Sequence, residues 1–383
     1  MTTASLPPPD AGAQAACDAL CALIRAEAAT QGILPFSRFM ALALYHPQHG
    51  YYTGGAHKIG AGGDFVTAPE LTPLFARTLA VQLAQLLPQT DGNVYEFGAG
   101  TGALAAQLLH ALPEIRQYVI VEVSPDLAER QRAHIAAHAP EHAEKVVHLS
   151  RLPEHFDGII IGNEVLDAMP VERVKRTADG GFRRIGVAWR GGKFVFEEQN
   201  LDDENLLQAA AHYFPPVPDY VSELHPEQHA FVRTLAEKLR RGGMIFLDYG
   251  FDAAQYYHPQ RADGTLMGHH RHHSIHDPFF RIGLTDLTAH VNFTDIAQAG
   301  CDSGLDLIGY TTQARFLLNL GIAGIMAQAH PDPRSPDYIQ AAAAVQVLTA
   351  PQEMGELFKV IAFGKNVDAD WLGFTHGDLC HKL

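Results

Sequence analysis

The chain is poor in cysteine, in positive charge and in long apolar runs, and each shortage excludes a class of protein. Its 383 residues contain four cysteines, none in a Cys-x-x-Cys pair, so a disulfide-built secreted domain is excluded and a reducing compartment is predicted. Lys and Arg number 28 against 43 Asp and Glu, and the formal charge of −15 argues against binding to nucleic acid or to an anionic membrane. No apolar run approaches the ~20 residues that span a bilayer, so no membrane insertion is expected.

The first segment, 1–16, lacks Lys and Arg and includes Pro7, Pro8 and Pro9. This composition is unlike that of a secretory signal or of an Arg-rich transit peptide. We therefore expect a mobile tail at 1–16 and a cytoplasmic protein of bacterial type.

From Asn93 onward, short apolar runs alternate with segments of helical periodicity. Continuous apolar strands that alternate with helices predict a Rossmann-like α/β fold, in which helices cover both faces of a parallel sheet. Short antiparallel strands at 171–198 and a loop-like, His- and Gly-rich stretch at 251–292 interrupt this alternation. The predicted segments are the tail at 1–16, an N-terminal helical cap with a Gly-rich loop at 17–90, the cofactor-binding half of the α/β core at 91–170, inserted antiparallel strands and a helix at 171–225, a core helix and strand at 226–250, a loop insertion serving as lid or substrate wall at 251–292, and the C-terminal part of the core at 293–383.

The sharpest local signal is a strand that runs into three alternating glycines, Val94-Tyr95-Glu96-Phe97-Gly98-Ala99-Gly100-Thr101-Gly102-Ala103. Glycines let the backbone approach a ligand closely, and the N-terminus of the following helix offers free N–H groups. The string fits the dinucleotide fingerprint and also the Glu-x-Gly-x-Gly-x-Gly pattern of S-adenosylmethionine-dependent methyltransferases. Both patterns place an acidic residue, here Glu122, at the end of the next strand, on ribose hydroxyls. A strand–helix turn without any cofactor also fits.

Two features favour the methyltransferase pattern. Glu96 is an acidic residue inside the strand before the glycines, where dinucleotide folds have apolar residues. Asn163, Glu164 and Asp167 follow the fourth strand, and ligands of open α/β sheets lie at the carboxyl ends of the strands. The predicted cofactor-binding residues are Glu96, Gly98, Gly100, Gly102, Glu122 and Asn163.

With these residues in place, the chain resembles the MidA-like family, which includes mitochondrial complex I assembly-factor protein arginine methyltransferases and their bacterial relatives. The resemblance implies a class I methyltransferase fold, S-adenosylmethionine as cofactor and a protein substrate, which for the mitochondrial members is an arginine of a complex I subunit. One departure is Asn292, where an acidic residue is expected. The resemblance extends over nearly the whole chain and rests on Tyr45-His46-Pro47, Gly50-Tyr51-Tyr52, the run from Gly63 to Glu70, the glycine string, the run from Asn163 to Pro170, Leu247-Asp248-Tyr249-Gly250, Gly264-Thr265-Leu266 and the run from Asp286 to Phe293.

Methyl transfer needs mainly positioning, and an arginine acceptor also needs carboxylates that hold its guanidinium group. Our catalytic candidates are Glu164, Asp167 and Asp64. Asp167 and Asn163 could instead cap a helix, and Asp64 could be a turn residue. The substrate-binding candidates are Phe65, Glu70, Asp248 and His290, of which Phe65 and His290 could equally be core residues and Asp248 a loop cap.

The dense histidine cluster within 269–276 resembles a metal site only superficially. No cysteine accompanies it, and structural zinc sites usually include cysteine at defined spacing. We therefore interpret it as a solvated or lid loop and assign no metal. The members of the cluster are His269, His270, His272, His273 and His276.

The leading hypothesis is a methyltransferase acting on arginine of a protein, with a complex I subunit as one candidate partner. Three alternatives stay open: methylation of a small molecule in a closed pocket, a non-catalytic complex I assembly factor that keeps the fold, and an NAD-dependent oxidoreductase supported by the glycine string alone. The insert at 171–198 is either a homodimer surface or a wall of the substrate site.

Overall fold

The computed structural model of the protein describes residues 6–54 and 66–383, and its elements mix sixteen strands with fourteen α-helices among these residues. The strands are β1 (Leu34–Pro35), β2 (Asn93–Phe97), β3 (Gln117–Val121), β4 (Val146–Leu149), β5 (Phe156–Asn163), β6 (Glu172–Arg176), β7 (Phe182–Arg190), β8 (Lys193–Asn200), β9 (Val221–Leu224), β10 (Leu239–Phe251), β11 (Met267–His270), β12 (His273–Ile275), β13 (Asp286–Thr288), β14 (Val291–Asn292), β15 (Asp306–Thr312) and β16 (Phe358–Lys365). The helices are α1 (Ala11–Gln31), α2 (Phe36–Tyr45), α3 (Ala68–Leu71), α4 (Pro73–Leu86), α5 (Ala103–Ala111), α6 (Pro125–His138), α7 (Glu204–Tyr213), α8 (Pro226–Lys238), α9 (Ala253–Tyr256), α10 (Phe293–Asp302), α11 (Gln313–Asn319), α12 (Ile322–Ala329), α13 (Pro336–Thr349) and α14 (Met354–Leu357).

The central sheet reverses its strand order once, and this reversal determines where a ligand can bind. Its strands follow the order β15-β16-β10-β5-β2-β3-β4, with β14 paired to β10. Strands β4, β3, β2, β5 and β10 are mutually parallel, whereas β16 is antiparallel to both of its neighbours. From β2 the chain moves outward to β3 and β4, and it then returns to the other side of β2 through β5. In such sheets the crevice at the carboxyl ends of the strands beside the reversal is the expected ligand site.

Helices cover both faces of this sheet, as the apolar runs predict. Strand β5 contributes Ile159, Ile160 and Ile161, all fully buried, because a parallel strand covered on both faces has no solvent side. One core cluster packs α4, α5, α6 and α11 against one face, and a second packs α8 and α10 against the other. The predicted α/β fold is therefore confirmed.

A second sheet lies beside the core and carries the N-terminal helices. Strands β1, β6, β7, β8 and β9 form an antiparallel sheet of order β1-β7-β6-β9, with β8 paired to β7. Apolar residues of α1 and α2 pack on it together with Ile282 and Leu287 from the later insertion. No helix among the described residues is long and apolar enough to cross a bilayer.

Three expected segments differ from the structure. Helix α1 begins at Ala11, inside the expected tail, because Asp10 caps it by accepting a hydrogen bond from the backbone N–H of Ala13. Helix α4 belongs to the core rather than to the cap at 17–90, since its apolar face packs with α5. The stretch 251–292 is not a loop, because β11, β12 and β13 form a three-stranded antiparallel sheet within it.

Candidate functional site

A cavity of about 860 Å³ opens at the carboxyl ends of the central strands, where the order reverses. Of the predicted residues, Gly98, Gly100, Glu122, Asn163, Glu164, Asp167 and His290 line it. The reversal thus brings together side chains from three separate strand ends. Asp64 and Phe65 lie outside the described residues.

The glycine turn between β2 and α5 needs glycine for steric reasons. Gly98, Gly100 and Gly102 have φ of 64°, 53° and 85°, a region that residues with a side chain rarely adopt. A Cβ at Gly98 would lie 2.6 Å from Cγ2 of Val165. The backbone therefore makes a tight turn and presents Gly98 and Gly100 to the cavity without a side chain in the way.

Glu122 follows β3 and is held beside this turn. Its Oε1 accepts a hydrogen bond of 2.8 Å from the N–H of Ser124, and its Oε2 accepts one of 3.2 Å from Nε2 of Gln131. The same Gln131 amide donates to the carbonyl oxygen of Gly100 at 3.1 Å. Burial raises the pKa of Glu122. Gln131 therefore couples the acidic residue to the glycine turn.

Sequence reasoning missed Gln131, although a signal was available. Gln131 lies between Ala128 and Ile135 in the buried stripe of α6. A fully buried amide within an apolar stripe must satisfy its hydrogen bonds inside the protein, and this requirement points to a structural role.

Glu70 accepts a hydrogen bond from the glycine turn, and Glu96 accepts one from the neighbouring strand β3. Side chains alternate between the two faces of β2, so Glu96 points to the same face as Val94, toward the core. There Oε2 of Glu96 accepts a 2.8 Å hydrogen bond from the hydroxyl of Tyr118. Burial raises the pKa of Glu96 to about 7. Oε1 of Glu70 accepts a 2.6 Å hydrogen bond from the hydroxyl of Thr101. Neither residue, nor Gly102, is among the described residues that line the cavity, so the expected direct contacts are corrected.

Two carboxyl groups face the cavity from the turn after β5. Glu164 adopts a φ of 54°, and its Oε1 accepts a 3.0 Å hydrogen bond from Nδ2 of Asn163. Asp167 is buried beside the hydroxyl of Tyr249, and its Oδ1 has no hydrogen-bond partner among the described residues. Burial, reinforced by Asp167, raises the pKa of Glu164 to about 8. Burial likewise raises the pKa of Asp167 to about 6.

A third carboxyl group, which the sequence did not single out, comes from the insertion. Asp286 on β13 is 2% exposed, lines the cavity and accepts a 2.9 Å hydrogen bond from the hydroxyl of Tyr52. The ring of Tyr52 stacks on that of Tyr45 at 5.5 Å, and the hydroxyl of Tyr45 donates to the carbonyl oxygen of Ala168 at 2.9 Å. Tyr45, Tyr52 and Asp286 all lie in blocks that carry the family resemblance, and this position was the only available signal.

His290 and Asn292 differ in their relation to the cavity. The His290 ring lies parallel to that of Phe251 at 5.2 Å, and its Nδ1 is buried without a hydrogen-bond partner in the part of the chain that the structure describes. Burial lowers the pKa of His290 to about 4, so this cavity residue is neutral at pH 7. Asn292 is fully buried and is not among the described lining residues, so the expected effect of this amide on the substrate has no contact to support it.

Comparison with known proteins relates this geometry to a cofactor. A family model described as "Putative S-adenosyl-L-methionine-dependent methyltransferase" matches residues 74–311. The crystal structure of a protein from Burkholderia thailandensis bound to S-adenosyl-homocysteine is 48% identical and superimposes with a TM-score of 0.95, over 99% of this chain and 100% of that one. The predicted cofactor, S-adenosylmethionine, is thereby confirmed.

Curated relatives carry the name of an enzyme. "Protein arginine methyltransferase NDUFAF7 homolog, mitochondrial" from Drosophila melanogaster is 27% identical, over 88% of this chain and 83% of its own length. "Protein arginine methyltransferase NDUFAF7, mitochondrial" from Danio rerio is 26% identical, over 86% of this chain and 82% of its own length.

The residues present fit S-adenosylmethionine. Oδ1 of Asn163 is a buried acceptor that has no partner within 6–54 and 66–383, and such an acceptor suits the ammonium group of the cofactor's amino acid part. Val123 lines the cavity although its side chain is 69% exposed, and a flat base lying on it would remove this apolar surface from water. We propose that Glu122 holds the ribose hydroxyls, that Asn163 holds the ammonium group and that Val123 contacts the adenine.

Replacing Gly98 by Ala tests whether the glycine turn between β2 and α5 binds the cofactor. The added methyl group meets Val165, so we expect S-adenosyl-homocysteine to bind at least tenfold more weakly by calorimetry, with an unchanged far-ultraviolet circular dichroism spectrum. Gly191→Ala is the matched control, because Gly191 has a φ of 56° but nothing within 4 Å of its Cβ position. Equal affinity of wild type and Gly98→Ala for S-adenosyl-homocysteine would contradict the role of the glycine turn in cofactor binding.

Replacing Glu164 by Gln tests the raised pKa. The pKa of Glu164 is about 8 in the folded protein against 4.5 for the free group, so the folded state binds the proton more tightly. Stability is therefore lost as the pH rises from 4.5 through 8. We expect Glu164→Gln to melt higher than wild type at pH 8 and close to wild type at pH 5. The exposed Glu114→Gln serves as control, and a shift that does not depend on pH would refute the assignment.

Proposed function

We propose that this chain, which belongs to the family of S-adenosylmethionine-dependent methyltransferases whose model matches residues 74–311, methylates arginine side chains of a protein. Methyl transfer from S-adenosylmethionine is the activity of the family, and the MidA-like resemblance is confirmed by the NDUFAF7 relatives and by the structural match. Our proposal concerns the methyl acceptor, which is an arginine side chain of a protein. The observation that carries the proposal is the set of three carboxyl groups, Glu164, Asp167 and Asp286, that face one cavity.

Carboxyl groups grouped in a cavity favour a cationic acceptor. Burial raises the pKa of Glu164 and Asp167, which means that ionising these two groups is costly when no cation is present. A bound cation would reverse this effect, whereas a neutral acceptor would leave the carboxyl groups uncompensated. This difference supports a cation over a neutral small molecule.

The shape of the site favours a guanidinium group over an ammonium group. Guanidinium is planar and carries five N–H donors in a fork that matches carboxylates, whereas ammonium is a compact point charge. The rings of Tyr45 and Tyr52 stack on each other and line the cavity beside Asp286, and planar cations bind to aromatic rings. The relatives named protein arginine methyltransferases support the same acceptor.

The chain's own residues orient the acceptor and take up a proton. S-adenosylmethionine supplies an electrophilic methyl group when bound. Carboxylates on the guanidinium N–H groups keep one nitrogen directed at the cofactor, which is the positioning that methyl transfer requires. Methylation of a guanidinium nitrogen releases one proton, and we assign its uptake to Glu164, because its carboxyl group faces the cavity. The hydroxyl of Tyr249 beside Asp167 keeps that carboxyl oriented.

The proposal extends to the partner. The substrate is a protein, and the family resemblance makes a respiratory complex I subunit the first candidate. The negative formal charge of −15 suits a substrate segment that carries basic residues around the methylated arginine.

Amino acid analysis of radiolabelled product tests the acceptor. Protein extract from cells that lack this enzyme is incubated with methyl-labelled S-adenosylmethionine and the purified protein, and we expect label in the methylarginine fraction after acid hydrolysis. Glu164→Gln and Asp286→Asn should each lower the incorporation at least 100-fold, with the dissociation constant of S-adenosyl-homocysteine within threefold of wild type.

Asp295→Asn is the control for that experiment, because Asp295 is a largely buried carboxyl group that is not among the described lining residues. Label in a small-molecule fraction or in methyl-lysine would contradict the proposal. No incorporation at all, with normal binding of S-adenosyl-homocysteine, would favour the non-catalytic assembly factor.

The pH dependence of turnover provides a second check. Because Asp167 and Glu164 must be ionised to hold a guanidinium group, kcat/KM for an arginine peptide should rise between pH 6 and pH 8. Glu164→Gln should remove the upper part of this rise. A profile that is flat from pH 6 to pH 8 in the wild-type protein would contradict the role of these carboxyl groups.

A further inference from the structure

Asp248 lies behind the cavity and binds backbone rather than ligand. It sits near the end of β10, beside β5, and is fully buried. Its Oδ2 accepts hydrogen bonds from the backbone N–H groups of Val165, Leu166 and Asp167 at 3.1, 2.8 and 3.3 Å. Its Oδ1 accepts a 2.9 Å hydrogen bond from the N–H of Tyr249. Both oxygens are therefore occupied by the protein itself.

The three N–H groups converge because of the backbone at Glu164. The N–H of Glu164 still bonds to the carbonyl oxygen of Leu247 at 2.9 Å, which continues the pairing between β5 and β10. Glu164 then adopts a φ of 54°, which is costly for a residue with a side chain. Successive N–H groups after such a residue form a concave anion-binding nest. The carboxylate of Asp248 is the anion that fills it.

This nest is part of the turn that carries the two catalytic candidates. Glu164 precedes the three N–H groups, and Asp167 supplies the last of them. The carbonyl groups of the turn are held separately, since Nε2 of Gln228 donates to Leu166 at 2.7 Å and the N–H of Ala289 donates to Asp167 at 3.0 Å. The N–H side of the turn depends on one carboxylate.

We infer that Asp248 is a positioning residue, which holds Glu164 and Asp167 in the orientation that grips the acceptor. It is not among the described residues lining the cavity, so the expected direct contact with substrate is replaced by an action through the backbone. The catalytic part of this inference rests on the proposed function, whereas the nest itself does not.

An amide cannot replace this carboxylate. Asn has one acceptor oxygen, and its NH2 group would face either the three N–H groups of the turn or the N–H of Tyr249. Asp248→Asn thus leaves buried donors unpaired at nearly constant side-chain volume. Asp252→Asn is the matched control, because Asp252 is also buried and caps a backbone N–H, that of Gln255 at 3.0 Å, on α9.

Hydrogen exchange on the full-length protein tests the nest without any acceptor. In Asp248→Asn we expect the amides of 165–167 to exchange at least tenfold faster than in wild type, with the rest of the central sheet unchanged. Asp252→Asn should accelerate exchange at the start of α9 only. Unchanged exchange at 165–167, or uniform acceleration through the sheet, would overturn the inference.

Glu164→Gly keeps the test valid if Asp248→Asn fails to fold. Glycine adopts a positive φ without strain, so this variant removes the side chain and retains the nest. We expect slow exchange at 165–167 in Glu164→Gly. Fast exchange there would mean that the Glu164 side chain, and not Asp248, holds the turn.

A double-mutant cycle separates positioning from general damage. Asp248→Asn should lower methyl incorporation at least 30-fold and leave the dissociation constant of S-adenosyl-homocysteine within threefold. In the Glu164→Gln background the same change should lower incorporation by a clearly smaller factor, because the part of the effect that acts through Glu164 is already lost and only the part that acts through Asp167 remains. Full additivity would overturn the positioning role. If arginine were not the acceptor, the exchange result would stand and only the arginine label would disappear.

Discussion

Like charges gathered in a low-dielectric crevice are the constraint on which this site depends. Burial raises the pKa of Glu164, Asp167 and Asp248. The charge of Asp167 adds to this effect at Glu164 and at Asp248, and the charge of Asp286 adds to it at Glu164. The structure separates their roles by their partners. Asp248 accepts hydrogen bonds from backbone N–H groups, whereas Glu164, Asp167 and Asp286 line the cavity. This division leaves the carboxyl groups of the cavity with raised pKa values at Glu164 and Asp167, which is the basis on which we propose a cationic acceptor.

The fold supplies these groups from distant parts of the chain. The central sheet provides the ends of β3, β5 and β10, and the sheet of β11 to β13 provides Asp286. The N-terminal helices bring Tyr45 and Tyr52 over the same cavity, because their apolar faces pack on the antiparallel sheet and on Leu287. The cap and the insertion, which distinguish this chain from a bare α/β core, therefore line the part of the cavity in which we propose that the acceptor binds.

The cofactor half was predictable from sequence because local rules govern it. Helix α5 begins immediately after Gly102, and positive φ at all three glycines agrees with the residue type. The acceptor half was only partly predictable. Strands β11, β12 and β13 have four, three and three residues, which is too short for a periodic pattern. The histidines and glycines of this stretch are typical of loops, so the sequence predicted a loop there. Glu96 was assigned to the ligand because a motif does not say which face of a buried strand a side chain takes.

The sequence by itself determined the class of fold, the cofactor turn and the strand ends at which ligands lie, because hydrophobic period and glycine are local signals. Only the tertiary structure decided that Asp286 joins Glu164 and Asp167, since β13 and β5 are separated by more than 100 residues. It also decided that Asp248 faces the backbone. The physical reason is that the partner of a buried carboxyl group is chosen by packing across elements, which no local pattern contains.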